Sequence, residues 1–192
     1  LLKGEDMEYQ EIYRKIQEEH RQVFEKMDQE NMREFMDEIK KHPRIFFIGV
    51  GREGMATKAF AMRLMHMGKE IHWIWDDTTP AIKEGDLLVA TLGDGRIGHI
   101  DYVCRRAKEA GAMIYVVTGS PSGETAKNVA DKVFFVPASV YRGTDEVVPS
   151  FQPMGNLFEQ CLLLMFDIIV MLIVDETPGL TFEGMAENHR NI

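Results

Sequence analysis

Cysteine is nearly absent: Cys104 and Cys161 are the only two in 192 residues. Two cannot frame a disulfide scaffold in a chain of this size, and neither has metal-ligand spacing. Two buried thiols in a reducing cytoplasm are expected. Positive charge is also short, with 22 Lys and Arg against 31 Asp and Glu and a formal net charge of −9. That deficit argues against nucleic acid as the main partner and against an anionic membrane surface, while leaving room for a local basic pocket. No leader-like segment is legible, and because the sequence does not open on Met a few preceding residues are expected. The longest apolar run, Cys161 to Val174, is broken by Asp167. It reads as shorter than a membrane span and is expected to be a buried core helix. There is no internal repeat and no low-complexity linker. One domain is expected over residues 1–192, with a helical segment over 1–41, an α/β core over 44–175 and a tail over 176–192.

What is present is organised around the stretch from Arg44 to Gly68. Ile45 to Ile48 is an unbroken apolar run, too short for a helix, and reads as a strand buried on both faces. Gly49, Gly51 and Gly54 form a tight turn, and from Met55 apolar residues recur at helical spacing until Gly68 stops the helix. Such a unit aims free backbone N–H groups and a positive dipole end at one spot. Ahead of it, Glu5 to Lys41 carries an apolar stripe that predicts one or two amphipathic helices, with a break near Asp28 to Asn31. That segment could serve packing or a subunit interface. Beyond it the spacing predicts strands at Ile71–Trp75, Leu87–Ala90, Met113–Val117 and Val133–Val136. Helices are predicted at Ile97–Ala110, Glu124–Ala130, Phe158–Val174 and Thr181–Ile192. Strand and helix alternate, so the class is α/β with a doubly wound parallel sheet, flavodoxin-like, and ligands are expected at the carboxyl ends of the strands.

Three groups of residues suggest chemistry. Gly49 to Gly54 reads GxGxxG, and Asp76 and Asp77 follow 22 and 23 residues after Gly54. That pattern would suit a nicotinamide or flavin dinucleotide, although Glu53 is a poor neighbour for a pyrophosphate. Glu159 stands near the start of the core helix, where partial burial would raise its pKa toward the general-base range, or where it could simply complement the helix dipole. Arg52 and Arg96 each occupy a glycine turn and could bind an anion, and His99 follows the second turn closely. His66 and His72 read as packed or edge residues and His189 as a surface histidine.

Residues Lys41 to Ile192 resemble a sugar-isomerase (SIS) domain, of the 6-phospho-3-hexuloisomerase type. The likeness is carried by Gly49-Val50-Gly51-Arg52 with Lys58 to His66, by Thr79-Pro80-Ala81-Ile82 with Gly85 to Leu88, by Phe151 to Gly155 with Leu157 to Gln160, and by Met185, His189 and Asn191. The resemblance implies a three-layer α/β/α sandwich with a five-stranded parallel sheet that assembles as dimers or tetramers. It implies an isomerase acting on a sugar or sugar phosphate through an enediolate, with no metal or organic cofactor. Glu159 would be its proton-shuttling carboxylate, and His189 a ring-opening aid reaching a neighbouring subunit. Gly51, Arg52, Glu53, Gly93, Asp94, Gly95, Arg96, His99 and Gln152 would bind substrate. The chain departs from this family at four hydroxyl positions, now Glu53, Leu92, Asp94 and Ile97. Two unit charges about 4 Å apart cost roughly 4 kcal/mol at an effective dielectric near 20, so Glu53 and Asp94 are expected to oppose a phosphate unless Arg52 or Arg96 compensates. Three readings follow: a phosphosugar isomerase, the same base acting on an unphosphorylated or amino sugar, and a non-catalytic sugar-binding protein. The stretch Ser120 to Thr125 superficially resembles the missing hydroxyl loop but follows the fourth strand rather than the third, and reads as coincidence.

Overall fold

The computed structural model describes residues 8–143 and 145–190. The chain opens with α1 (Tyr9–Lys26) and α2 (Gln29–Lys41). The break falls where the sequence suggested: the Asp28 carboxylate accepts from the N–H groups of Glu30 at 2.8 Å and Asn31 at 3.4 Å and so starts α2. Then follow β1 (Arg44–Ile48), α3 (Gly51–His66), β2 (Glu70–Trp73), β3 (Leu87–Thr91), α4 (Gly98–Glu109) and β4 (Met113–Thr118). The chain continues through α5 (Glu124–Asn128), β5 (Lys132–Phe135), α6 (Asn156–Glu176) and α7 (Phe182–Glu187). All five strands are parallel, in the order β2-β1-β3-β4-β5. The order reverses between β1 and β3, and the two glycine turns leave the ends of those two strands.

Side-chain alternation along the strands divides the core. Ile45, Phe47, Leu87, Val89, Tyr115 and Val117 pack toward α1, α2, α3 and α6. Phe46, Ile48, Leu88, Ala90, Ile114 and Val116 pack toward α4 and α5. This is the expected three-layer sandwich, with both sheet faces covered because both faces of the strands are apolar. Phe60 of α3 and Phe166 of α6 stack with centroids 4.3 Å apart, so these two helices are joined by an aromatic contact.

Several boundaries differ from expectation. The second strand stops at Trp73 because Trp75 takes a positive φ of 83° in the turn that follows. The first glycine-turn helix begins at Gly51 rather than Met55. The core helix is longer than its apolar run: α6 has 21 residues and by length and composition is long enough to cross a membrane, which corrects the reading that it falls short. Its packing nonetheless matches a core helix, with Cys161, Leu162, Met165, Phe166 and Ile169 buried. Asn191, part of the closing motif, lies outside the described residues.

Candidate active site

Three segments meet at one end of the sheet. After β1 the chain turns through Gly49 and Val50, and Gly51 enters α3 with φ +57°, a left-handed conformation that L side chains adopt rarely. After β3 comes the second turn, Gly93 to Gly95. A Cβ at Gly93 would lie 3.1 Å from Glu53 Oε2 and 3.2 Å from the Phe158 ring, so glycine leaves room for both side chains. The third segment is the start of α6, which follows two consecutive left-handed residues, Met154 at φ 58° and Gly155 at φ 82°. Strain of this kind at a non-glycine residue marks a backbone held in place by its surroundings. Between the three segments lies a cavity of about 230 Å³ lined by Gly51, Arg52, Glu53, Gly93, Asp94 and Glu159 together with Val140, Tyr141, Met154 and Phe158.

Two hydrogen bonds order its polar wall. Arg52 Nε donates to Glu159 Oε2 at 2.5 Å, fixing the carboxylate in the first turn of α6. The Gly93 N–H donates to Glu53 Oε2 at 2.8 Å and ties the two glycine turns together. Burial pushes the Glu53 carboxyl up to about 8, with the charges of Asp94 and Glu159 adding to the rise and the Gly93 N–H opposing it. Burial raises the Glu53 carboxyl, and Arg52 holds the Glu159 side chain. Below about pH 8 Glu53 is a neutral acid, so its opposition to a phosphate is occupation of a backbone donor rather than charge repulsion. Asp94 turns its Oδ1 to the Arg96 N–H at 3.1 Å.

Six of the eleven site residues expected from the sequence therefore share this cavity, and five do not. Gly95 has φ +71°, and a Cβ there would lie 2.7 Å from Gly123 Cα; it allows two loops to touch rather than a ligand to approach. Arg96 lines an adjoining cavity of about 390 Å³ with Asp94, Ser120, Ser122 and Arg142. His99 is exposed near the start of α4. Gln152 is a structural link: its Nε2 donates to Glu19 Oε2 at 2.9 Å, and its Oε1 accepts from Gln160 Nε2 at 2.9 Å. His189 lies across a different cavity, of about 520 Å³, with Arg63, His66 and Asp167, its ring 5.1 Å from that of His66. Asp76 and Asp77 sit in an exposed turn after β2, and Asp76 donates its N–H to the Trp73 carbonyl at 3.1 Å.

Sequence reading did not pick out Val140, Tyr141, Met154 or Phe158 as lining residues. The first two lie in an irregular loop without periodicity, and the last two were legible only as part of the Phe151 to Gln160 motif. Among the described residues no group of three or more His, Cys, Asp or Glu is placed to hold a metal ion. Chemically, the cavity offers the acidic side chains of Glu159 and Asp94, the protonated carboxyl of Glu53 and the Arg52 guanidinium. That set can move a proton and steady an oxyanion.

The SIS domain family model matches residues 38–140. The chain is 35% identical over 156 residues to a 3-hexulose-6-phosphate isomerase of Bacillus subtilis, covering 81% of this chain and 83% of that one. It is 34% identical to a 3-hexulose-6-phosphate isomerase of Mycobacterium gastri, covering 87% of this chain and 82% of the other. Among solved structures, a Methanococcus jannaschii protein whose structure infers a 3-hexulose-6-phosphate isomerase function aligns with a TM-score of 0.81 at 26% identity. That alignment covers 95% of this chain and 99% of that one. A strand–glycine turn–helix unit at the switch point of a five-stranded parallel sheet, matched by sequence over most of the chain, has one assignment: this protein belongs to the SIS domain family.

Proposed function

We propose that the protein is a sugar-phosphate isomerase that moves a carbonyl between C2 and C3 of a hexulose 6-phosphate, with Glu159 as the base. The observation that carries this reading is the placement of Glu159: first turn of α6, facing both glycine turns, held by Arg52. From a 3-ketose, Glu159 takes the proton on C2, the electrons pass toward O3, and an enediolate forms. The O2 hydroxyl proton passes to O3, the same carboxyl returns the carbon-bound proton to C3, and the carbonyl is left at C2. Glu53, protonated below about pH 8, presents an acid to the same cavity and can donate to a developing oxyanion. The names of the relatives support the substrate class, and two buried, unbridged cysteines suit a reducing cytoplasm.

His189 belongs to this reading only through a second copy. Both α3 and α6 begin at the Glu159 cavity, and their later turns line the His189 cavity. Between them runs an exposed apolar face: Met55, Met62 and Met65 on α3, and Leu164, Ile168 and Met171 on α6. A two-fold axis crossing these helices would bury that face and lay the His189 end of one protomer on the Glu159 end of the other. Met171→Glu is expected to convert the assembly to smaller species in light scattering and to lower turnover with it. A wild type that is monomeric at working concentration would remove His189 from the site.

A second reading, an unphosphorylated or amino sugar, is favoured by one observation: the Gly93 N–H is already taken by Glu53. Thermal shift against a panel of hexose phosphates and free sugars separates the two. A ligand at 100 times its Kd adds about 2.7 kcal/mol, a Tm rise of roughly 5 °C or more for a chain of this size. Stabilisation by the phosphates alone supports the first reading, and stabilisation by free or amino sugars alone replaces it with the second.

A further inference from the structure

At the Glu159 cavity two anion donors are already committed: the Gly93 N–H is bonded to Glu53, and Arg52 Nε to Glu159. The cavity is also small: about 230 Å³, against roughly 300 Å³ and upward for sites that enclose a whole small ligand. A hexulose that reacts at Glu159 must therefore place its ester outside these donors.

The adjoining cavity begins at the same residue, Asp94, and its other wall is built by the loop after β4. Two features join that loop to the second glycine turn. Gly95 and Gly123 are in backbone contact, and the Thr125 N–H donates to the Gly95 carbonyl at 3.3 Å. The hydroxyls of Ser120 and Ser122 both donate to Asp145 Oδ2, at 2.5 and 2.6 Å, and so fasten the loop that carries Arg142. Arg96 from one wall and Arg142 from the other line this cavity of about 390 Å³. Arg142 stacks on Tyr141, itself part of the Glu159 cavity, with its guanidinium carbon 5.0 Å from the ring centroid. Among the described residues neither guanidinium has a carboxylate within ion-pair distance, whereas most other arginines of the chain do. Asp94 and Glu124 also line the cavity, and Asp94 accepts its neighbour's backbone N–H. Two guanidiniums left unmatched around one cavity, within reach of a reacting sugar, are a recognition set for a phosphate or similar oxyanion ester.

We propose that the ester of the substrate binds between Arg96 and Arg142, in the cavity framed by the Ser120–Ser122 loop, and not at the glycine turn that Glu53 occupies. The substrate part of this proposal rests on the sugar-phosphate reading above; the anion site does not. The stretch Ser120 to Thr125 then contributes by position: the hydroxyls of Ser120 and Ser122 fix Asp145, and Asp145 fixes the loop of Arg142.

The test uses inorganic phosphate as the probe, followed by 31P NMR line broadening and calorimetry, with wild type, the double variant Arg96→Ala/Arg142→Ala, and Arg52→Ala. Both residues of the double variant are exposed, and an unchanged Tm checks that it folds. Saturable phosphate binding weakened at least tenfold in the double variant, and little changed in Arg52→Ala, is the expected result. Unchanged binding in the double variant, loss confined to Arg52→Ala, or no saturable binding by wild type would each overturn the proposal. Where a hexulose 6-phosphate is turned over, its KM should rise at least tenfold in the double variant, with a smaller change in kcat. A normal KM there overturns the proposal and leaves the isomerase intact. Phosphate binding lost in the double variant, together with no isomerase activity in wild type, would instead uphold the anion site and reject the activity.

Discussion

Glu159→Gln is expected to lower turnover of a hexulose 6-phosphate about 10³-fold, with KM within a few-fold of wild type. The substitution keeps the shape of the side chain and an oxygen that Arg52 can still donate to, but removes the basic lone pair that takes the carbon-bound proton. Substrate binding, which the proposal assigns elsewhere, should survive. The measurement that isolates the step is exchange of the C2 or C3 proton with solvent deuterium, followed by NMR. Exchange should become undetectable in the variant even where binding is intact. Exchange at the wild-type rate would move the base to another group, with Glu53 and Asp94 the remaining acidic side chains that line the cavity.

Glu53→Gln should change how stability depends on pH. In the unfolded chain this carboxyl titrates near 4.5, and in the folded chain near 8. Its folded form favours the proton, so the stability tied to that proton is complete below about pH 4.5. It declines between pH 4.5 and 8, where the unfolded chain has released the proton and the folded chain has not, and is level above that. Glutamine stays neutral throughout and can accept the same Gly93 N–H. The variant should therefore match wild type near pH 4 and exceed it by about 2–3 kcal/mol at pH 7, after allowance for the cavity's partial access to water. Urea unfolding of both proteins at several pH values reads this directly. A difference independent of pH would mean that Glu53 ionises normally and that Gly93 is bonded to a carboxylate.

The parts of the fold that the sequence displayed are those decided by neighbours in the chain. Ile45 to Ile48 and Leu87 to Ala90 are apolar on both faces, so their burial in a covered parallel sheet followed without tertiary information. The break at Asp28 and the stop at Gly68 are likewise local, one a side-chain cap and the other a left-handed residue at φ +88°. The lining of the candidate cavity was legible where one segment supplies it, as at Gly51-Arg52-Glu53. It was not legible where a distant partner decides what a side chain touches. Glu53 meets Gly93 across 40 positions, and nothing near either residue announces that bond. Gln152 resembles a binding residue until Glu19, 133 positions earlier, is found holding it. The loop at Ser120, dismissed because it follows the wrong strand, comes to lie beside the second turn through the Gly95–Gly123 contact, which no spacing rule reports.

The bonds that Glu19 makes to Ser150, Phe151 and Gln152, with His20 reaching Gln160, give α1 a role beyond covering the sheet. They moor the opening helix to the lead-in of α6 and to α6 itself, one residue past Glu159. In the proposed mechanism the aim of Glu159 is thus tied to α1, a helix distant from it in sequence. Drift accumulating in that outer helix is expected to blunt the proposed activity while every residue around the cavity stays the same.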